Sequence, residues 1–425
     1  MDRRSFCKAA MVVPFVVPYS GCGKGAPSDR LNMASIGTGR MGRSDMKECL
    51  YQGLKVNARI VAVCDVDSKR ATIAKKEVDD IYAKELGAGN YDGVQVYGDY
   101  RELLERKDID GVTISTPDHW HGLMAIAAAN AGKDIYLQKP LTYSIAEGQK
   151  LVKAVRRNKV ILQTGSQQRS SVYFRKTCEL VRNGRIGKLQ SIEVVVPTDH
   201  GQGESTAMDV PVNLNYDMWL GPAAKAPYTE HRVHPQNGFG RPGWLQIESY
   251  CHGMIAGWGS HMYDVVQWAL GVDSDGGPVE VKASTEFPDR GLFDVHVAYA
   301  AEAIYANGVK MVSRSGSPGV KFVGSDGWIW VQRGSFDAND REIFRQEMGD
   351  GDVKLMVSEN HMLNFLESMR SRKDPIAPVE VGHRSNSVCV IHHIAMKLGR
   401  KLKWDPKAEL FLDDDEANGM LNRVG

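Results

Sequence analysis

The sequence predicts an α/β protein whose first half is a parallel sheet flanked by helices and whose second half is richer in strands. Three observations carry that prediction. Apolar runs of strand length recur at 31–36, 59–65, 111–115, 133–137 and 160–164, and helix-compatible stretches separate them. A G-x-G-x-x-G motif, Gly37-Thr38-Gly39-Arg40-Met41-Gly42, follows the first run at once and leads into a helical stretch. Later the pattern turns to alternation, over 187–196 and in β-rich runs near 279–287, 294–314 and 319–331.

Composition sets the limits. The chain has 425 residues, enough for about two or three domains, and its 42% hydrophobic and 25% charged residues fit an ordinary globular protein. Lys plus Arg number 53 against 52 for Asp plus Glu, a formal charge of +1, so no basic field exists to attract nucleic acid. None of the seven cysteines forms a C-x-x-C pair, which points to isolated core thiols rather than a zinc cluster or disulfide framework, Cys22 excepted.

The first segment reads as an address. Arg3 and Arg4 precede a short apolar run over 9–17, and Ser20-Gly21-Cys22 follows. The run is too short to span a bilayer as a permanent helix, and Pro14 and Pro18 weaken a helix there. Export with cleavage before Cys22 is the expectation, which assigns 1–30 to signal and linker and the mature chain to the periplasm. Arg3, Arg4, Phe6 and Lys8 resemble a twin-arginine signal, and the Cys22 context resembles a lipoprotein site at which a lipid anchor would be attached.

In the glycine motif, Gly37 permits a tight turn, Gly39 lets a pyrophosphate approach the backbone, and Gly42 lets helix and strand pack closely. The motif as a whole, Thr38, Arg40 and Met41 included, is therefore a candidate dinucleotide cradle. The second strand ends in Asp65, a carboxylate suited to a ribose diol. Because it would repel a 2′-phosphate, NAD is favoured; NADP is the alternative, with Ser68, Lys69 and Arg70 offering a phosphate some compensation.

The strand over 111–115 runs into Thr116-Pro117-Asp118-His119-Trp120-His121. The carboxyl ends of parallel strands line the ligand crevice, so Ser115, Thr116, Pro117 and His121 are expected to line the cofactor site, with Asp118, His119 and Trp120 near the nicotinamide. Quieter roles compete: a helix cap for Asp118, packing for Trp120, hydrogen-bonded scaffolding for either histidine. The strand over 133–137 delivers Gln138-Lys139-Pro140 to another strand end. Lys139 is the leading catalytic candidate, because an ammonium held beside a cationic nicotinamide has its charged form disfavoured and its pKa moved toward proton transfer.

Together, the glycine motif, the Cys64-Asp65-Val66-Asp67 strand end, Ser115-Thr116-Pro117-Asp118-His119-Trp120-His121 and Gln138-Lys139-Pro140-Leu141-Thr142 resemble the Gfo/Idh/MocA oxidoreductases. The resemblance covers nearly the whole mature chain. It implies an N-terminal Rossmann domain over 31–165, and a C-terminal α/β domain over 166–358 whose open mixed, mainly antiparallel sheet carries the sugar site and an oligomer contact, making a homo-oligomer expected. It further implies helices over 359–425 that return to the Rossmann domain, leaving His383 and Arg384 as scaffold. Where the family commonly has Glu-Lys-Pro, this chain has Gln138 before Lys139.

In the second half, Arg169 is a candidate for reaching substrate. A polar, Gly-rich insertion over 198–250 contributes Arg232 and His234 to the expected sugar site, beside Trp120, while Trp219 reads as structural. His231 and His234 have i, i+3 spacing, but no third ligand is fixed and the region reads as loop, so no metal is expected. In Gly257-Trp258-Gly259-Ser260-His261, the resemblance places His261 against the reacting carbon as general base or proton shuttle, with Asp264 orienting or capping it. Many dehydrogenase members carry Asp at the position of Gly257, so Lys139 and His261 are left to share the chemistry; His252 and Tyr263 read as core.

The expected function is an NAD(P)-dependent oxidation of a secondary hydroxyl on a sugar or glycoside, with a tightly held cofactor. A rival is an NAD-recycling glycosidase or lyase that oxidises transiently, eliminates and re-reduces. A third reading, a non-catalytic sugar-binding protein, needs neither Lys139 nor three glycines.

Overall fold

The computed structural model describes residues 29–423, so the twin-arginine and Cys22 expectations lie outside the described residues. The first half alternates β1 (Leu31–Ile36), α1 (Arg40–Lys55), β2 (Ala58–Cys64), α2 (Ser68–Leu86), β3 (Gln95–Tyr97), α3 (Tyr100–Glu105), β4 (Gly111–Ile114), α4 (Asp118–Asn130), β5 (Asp134–Leu137), α5 (Ile145–Asn158) and β6 (Leu162–Thr164). All six strands are parallel, in the order β3-β2-β1-β4-β5-β6. β4 and β5 are buried along their whole length, as expected for a sheet covered on both faces. Caps fix the helix starts: Asp67 accepts from the Lys69 and Arg70 amides, and Ser144 accepts from the Glu147 amide. The strand order reverses between β1 and β4, and Ile36 pairs with Ile114, so the loops after them abut at the switch point where ligands bind.

The sequence reading passed over β3. It has only three residues, it lies on the sheet edge, and Val96 is 43% exposed, so it carries no buried apolar run.

The second half contains α6 (Val172–Arg182), β7 (Leu189–Val196), α7 (Tyr216–Leu220), α8 (Met254–Gly257), α9 (Gly259–Leu270), β8 (Pro278–Thr285), β9 (Tyr299–Tyr305), β10 (Lys310–Ser315), β11 (Gly319–Gly324), β12 (Trp328–Gln332) and β13 (Ser335–Ala338). Next come α10 (His361–Ser371), α11 (Val379–Leu398), β14 (Leu402–Asp405), β15 (Leu410–Phe411) and α12 (Asp415–Gly419). Nine strands form one mixed sheet, antiparallel except where β7 and β10 pair in parallel. The β-rich run near 294–314 resolves into β9 and β10, which turn at Gly308 with φ +82. One face of this sheet packs on α6, α9 and α11, and Tyr299, Ala301, Ala303 and Tyr305 alternate inward along β9.

α10 packs on the first domain, placing Met362, Phe365, Leu366 and Met369 against Met33, Met46 and Leu50. α11 contacts α5, α9 and β8, so it ties both sheets to one scaffold. His383 and Arg384 on α11 both engage Glu409. The insertion over 198–250 has its own core, in which Leu214, Tyr216, Trp219, Tyr228, Val233 and Tyr250 cluster.

Candidate active site

The glycine loop is built by close approach. Gly37 has φ +80, and a Cβ there would sit 2.8 Å from the Ser115 carbonyl; a Cβ on Gly42 would sit 1.9 Å from the Gly37 oxygen. Gly39 caps α1 without a side-chain bond, leaving the first amides of a 16-residue helix for an anion. A cavity of about 700 Å³ opens in front of this loop, lined by Gly37, Gly39, Arg40, Met41 and Asp65 at one end. The Asp65 carboxylate is positioned by the Thr38 amide (2.7 Å) and hydroxyl (3.0 Å) on one oxygen and the Asp67 amide (2.9 Å) on the other. Thr38 therefore orients Asp65 from behind the cavity wall, and Gly42 packs there too. This cradle fits a dinucleotide: bare backbone at a helix start, with a carboxylate at the end of the adjoining strand.

Ser115, Thr116, Pro117, Trp120, His121, Gln138, Lys139 and His261 line the same cavity. His121 is buried between two carbonyls, Nδ1 2.7 Å from the Pro140 oxygen and Nε2 2.9 Å from that of Thr116, so it links two strand-end loops. His119 lies away from the cavity, Nε2 3.1 Å from the Trp219 oxygen, and burial pushes its pKa down to about 3. It is scaffold. Trp120 donates its indole N–H to the same oxygen at 3.0 Å.

Lys139 Nζ donates to the Gly257 carbonyl at 2.8 Å, which ties the first domain's strand end to α8. The Lys139–Pro140 peptide is cis. Burial lowers the Lys139 pKa, opposed by the charges of Asp118 and Asp45. His261 is buried, and neither ring nitrogen has a hydrogen-bond partner among the described residues. Burial, reinforced by the positive charges of Lys139 and Arg333, holds its pKa well below the usual histidine value. The His261 imidazole is therefore neutral at neutral pH, with its ring open to accept a proton in the cavity that Lys139 also lines.

The sequence reading missed Asp45. From α1 its carboxylate accepts from the Gln138 amide at 2.9 and 3.1 Å and from the Ser115 hydroxyl at 2.7 Å, and burial raises its pKa to about 6. The acidic group that Gln138 lacks is thus supplied by the facing helix. A charged residue one turn past Gly42, on the helix face that packs against the sheet, was the available signal. Arg241 and Arg333 also line the cavity and were missed, because only the tertiary fold brings the insertion and the β12–β13 turn there.

Three expected substrate contacts are placed elsewhere. Arg169 is 2% exposed and committed elsewhere: it bonds Asp264 twice at 2.8 Å and Asp273 at 2.9 Å. Asp264, committed to Arg169 and Ser385, does not orient His261. Arg232 turns outward from the cavity to the Tyr250 hydroxyl and the Pro227 carbonyl. His234 lines the cavity but at the Asp65 end, with Nε2 2.9 Å from Asp67, rather than beside Lys139. Its neighbour His231 accepts from the Glu204 amide, so the two rings have separate partners.

Residues 31–166 match the NAD-binding Rossmann fold of the Gfo/Idh/MocA oxidoreductases, and residues 198–425 match that family's C-terminal alpha/beta domain. The chain belongs to the Gfo/Idh/MocA oxidoreductase family. Among curated members, an inositol 2-dehydrogenase from Salmonella typhimurium is 28% identical over 159 residues, 37% of this chain and 43% of that protein. A glycosyl hydrolase family 109 protein from Shewanella sp. strain ANA-3 is 29% identical over 211 residues, 44% of each chain. The uncharacterized oxidoreductase YrbE of Bacillus subtilis is 36% identical over 114 residues, 26% of this chain and 33% of that one. The matched stretches thus span less than half of these relatives. Among solved structures, the WlbA dehydrogenase from Chromobacterium violaceum, in complex with NADH and UDP-GlcNAcA, superposes with a TM-score of 0.65 at 16% identity, covering 89% of this chain and 97% of that one. That likeness shows shared fold.

Proposed function

We propose that this Gfo/Idh/MocA oxidoreductase acts on a secondary hydroxyl of a sugar or glycoside and holds its NAD tightly. The observation that carries the reading is that Lys139 and the His261 imidazole, unpartnered among the described residues, line one cavity with the glycine loop. The inositol dehydrogenases and the WlbA complex support a polyol or sugar substrate. Asp65 favours NAD over NADP by repelling a 2′-phosphate.

NAD, when bound, supplies a hydride acceptor. His261 accepts the proton of the substrate hydroxyl, and Lys139 donates a hydrogen bond to the same oxygen, holding its developing negative charge. The Gly257 carbonyl aims Lys139, and Trp120 provides an apolar wall.

The insertion supports cofactor retention. His234 and Asn213 bond Asp67, Lys69 donates to the Gln236 carbonyl, Arg70 donates to that of Pro235, and Phe239 receives Arg43 at 4.0 Å and Arg70 at 5.0 Å over its ring. This strap joins the second domain to the Asp65 end of the crevice. Retention matters if Arg3, Arg4 and Cys22 direct export and lipid anchoring, because NAD lost outside the cytoplasm is not replaced. In the same reading the mature chain is periplasmic and assembles as a homo-oligomer.

The glycosyl hydrolase family 109 relative favours a second reading: oxidation at a ring carbon, elimination of the glycosidic substituent, addition of water and re-reduction, with no net redox change. Purified protein incubated with nitrophenyl glycosides and no added nucleotide separates the two. Net oxidation yields reduced nicotinamide without repeated aglycone release; redox-neutral cleavage yields many equivalents of nitrophenol without net reduced nicotinamide. Neither signal across sugars and glycosides, with nucleotide present in the protein, contradicts both.

A further inference from the structure

Arg333 lies in the turn between β12 and β13, exposed at the rim of the cavity. Its guanidinium stacks on the Trp258 indole, 4.6 Å from the ring centre, and Trp258 in turn meets His261 edge-on at 6.0 Å. It makes no hydrogen bond or ion pair with any described residue. Arginines elsewhere do find carboxylates: Arg43 pairs with Glu77, Arg156 with Asp374, Arg372 with Asp134. Arg241, on the insertion, also lines the cavity, and among the described residues its one side-chain contact of this kind is Nη2 against Met254 Sδ at 3.2 Å. Met254 opens the turn of α8 that ends at Gly257, the residue holding Lys139. Asp199, close enough to feel the Arg241 charge, is already engaged by Gln246 and the Met254 amide.

Neither Arg333 nor Arg241 pairs with a cavity carboxylate among the described residues, although Asp118 and Asp45 lie close enough for their charges to act on Lys139. Asp45 is held by Gln138 and Ser115, Asp65 by Thr38 and the Asp67 amide, and Glu48 by Gln52 and Asn360. Arg333 and Arg241 thus bring two guanidiniums, unpaired with carboxylates among the described residues, to a cavity that Arg40, Arg70 and Lys139 also line, and a bound anion would pair with them.

We propose that Arg333, assisted by Arg241, is an anion-binding subsite and that the substrate is an acidic sugar or glycoside, carrying a carboxylate or a sulfate ester on the unit that enters the cavity. This rests on the sugar-oxidoreductase reading and names its substrate class. Guanidinium groups suit either oxyanion through paired N–H donors, and stacking on Trp258 presets the Arg333 plane.

The test uses purified full-length protein with its bound nucleotide and follows tryptophan fluorescence, to which Trp258 reports, during titration with glucuronic acid, glucose 6-sulfate and glucose, and with the galactose-derived trio. The expected result is saturable binding of at least one acidic member, about tenfold or more tighter than its neutral parent, weakened by salt. The carboxylate and sulfate arms decide which anion is read. Arg333→Ala should bring the acidic and neutral affinities within about twofold of each other, and Arg333→Glu should reverse the preference, while bound nucleotide content, measured by mass spectrometry, stays at the wild-type level. Equal affinity for acidic and neutral sugars in the wild type, or preference retained in Arg333→Ala, overturns the proposal. Loss of nucleotide in the variant also overturns it, by assigning Arg333 to the cofactor phosphates. Acidic preference without any reduction of nicotinamide or aglycone release leaves the subsite standing and refutes the oxidoreductase reading instead.

Discussion

Gln138 and Asp45 show how one residue change is balanced across a helix and a strand end. An amide at 138 lets Asp45 accept two hydrogen bonds in a buried site; a carboxylate there would place two acids within hydrogen-bond distance, and one would have to hold a proton. Asp45 already titrates at about 6, a raised pKa, so its contribution favours the folded state at low pH and is lost as pH rises through 6. Gln138→Glu should therefore cost about 2–3 kcal/mol at pH 8 and far less at pH 4, and Gln138→Glu combined with Asp45→Asn should recover most of it. Thermal melts of the two variants at both pH values check this; an equal loss at pH 4 and pH 8 would show that shape, not charge, is responsible. The sequence shows Gln138 beside Lys139 plainly. It hides Asp45, since pairing an α1 side chain with the end of β5 depends on how helix and sheet pack.

At the scale of elements, the strap over 198–250 couples substrate domain to cofactor domain through the start of α2. Its polar composition and glycines mark a loop, but its docking onto Asp67, Lys69 and Arg70 depends on contacts across some 165 residues of chain, as in the Arg70 bond to Pro235. Phe239 is its aromatic clasp. Phe239→Ala should speed NAD release by about tenfold, consistent with losing two cation–π contacts of about 0.5–1 kcal/mol each. Nucleotide remaining after repeated dilution and filtration measures this, and retention equal to wild type would detach the strap from cofactor holding. The short elements β3 and α12 were illegible for a different reason: they carry too few buried apolar residues to make a period.

For the molecule as a whole, the doubly wound first domain was legible because its signals are local: apolar runs, three glycines and carboxylates at strand ends. The second domain announced its strands by alternation but not their order, since only β7 and β10 pair in parallel within a sheet otherwise antiparallel. Arg169 illustrates the limit. Its position after a strand suggested substrate, yet it is the hub of a buried ion network with Asp264 and Asp273 that fastens the domain junction to α9. Arg169→Ala should lower unfolding stability by about 3–5 kcal/mol because it strands a buried carboxylate. A variant of unchanged melting temperature but raised KM would restore Arg169 to substrate binding.

In this reading Lys139 and His261 serve one reaction beside one bound nucleotide. Rapid mixing of the holoprotein with a turned-over sugar or glycoside, followed at about 340 nm, tests it most directly, because either net oxidation or redox-neutral cleavage passes through reduced nicotinamide. Wild type should show that absorbance within the first turnover, while Lys139→Ala and His261→Ala, with nucleotide still bound, should form it at least about 100-fold more slowly. Reduction at the wild-type rate in either variant would remove that residue from the reaction.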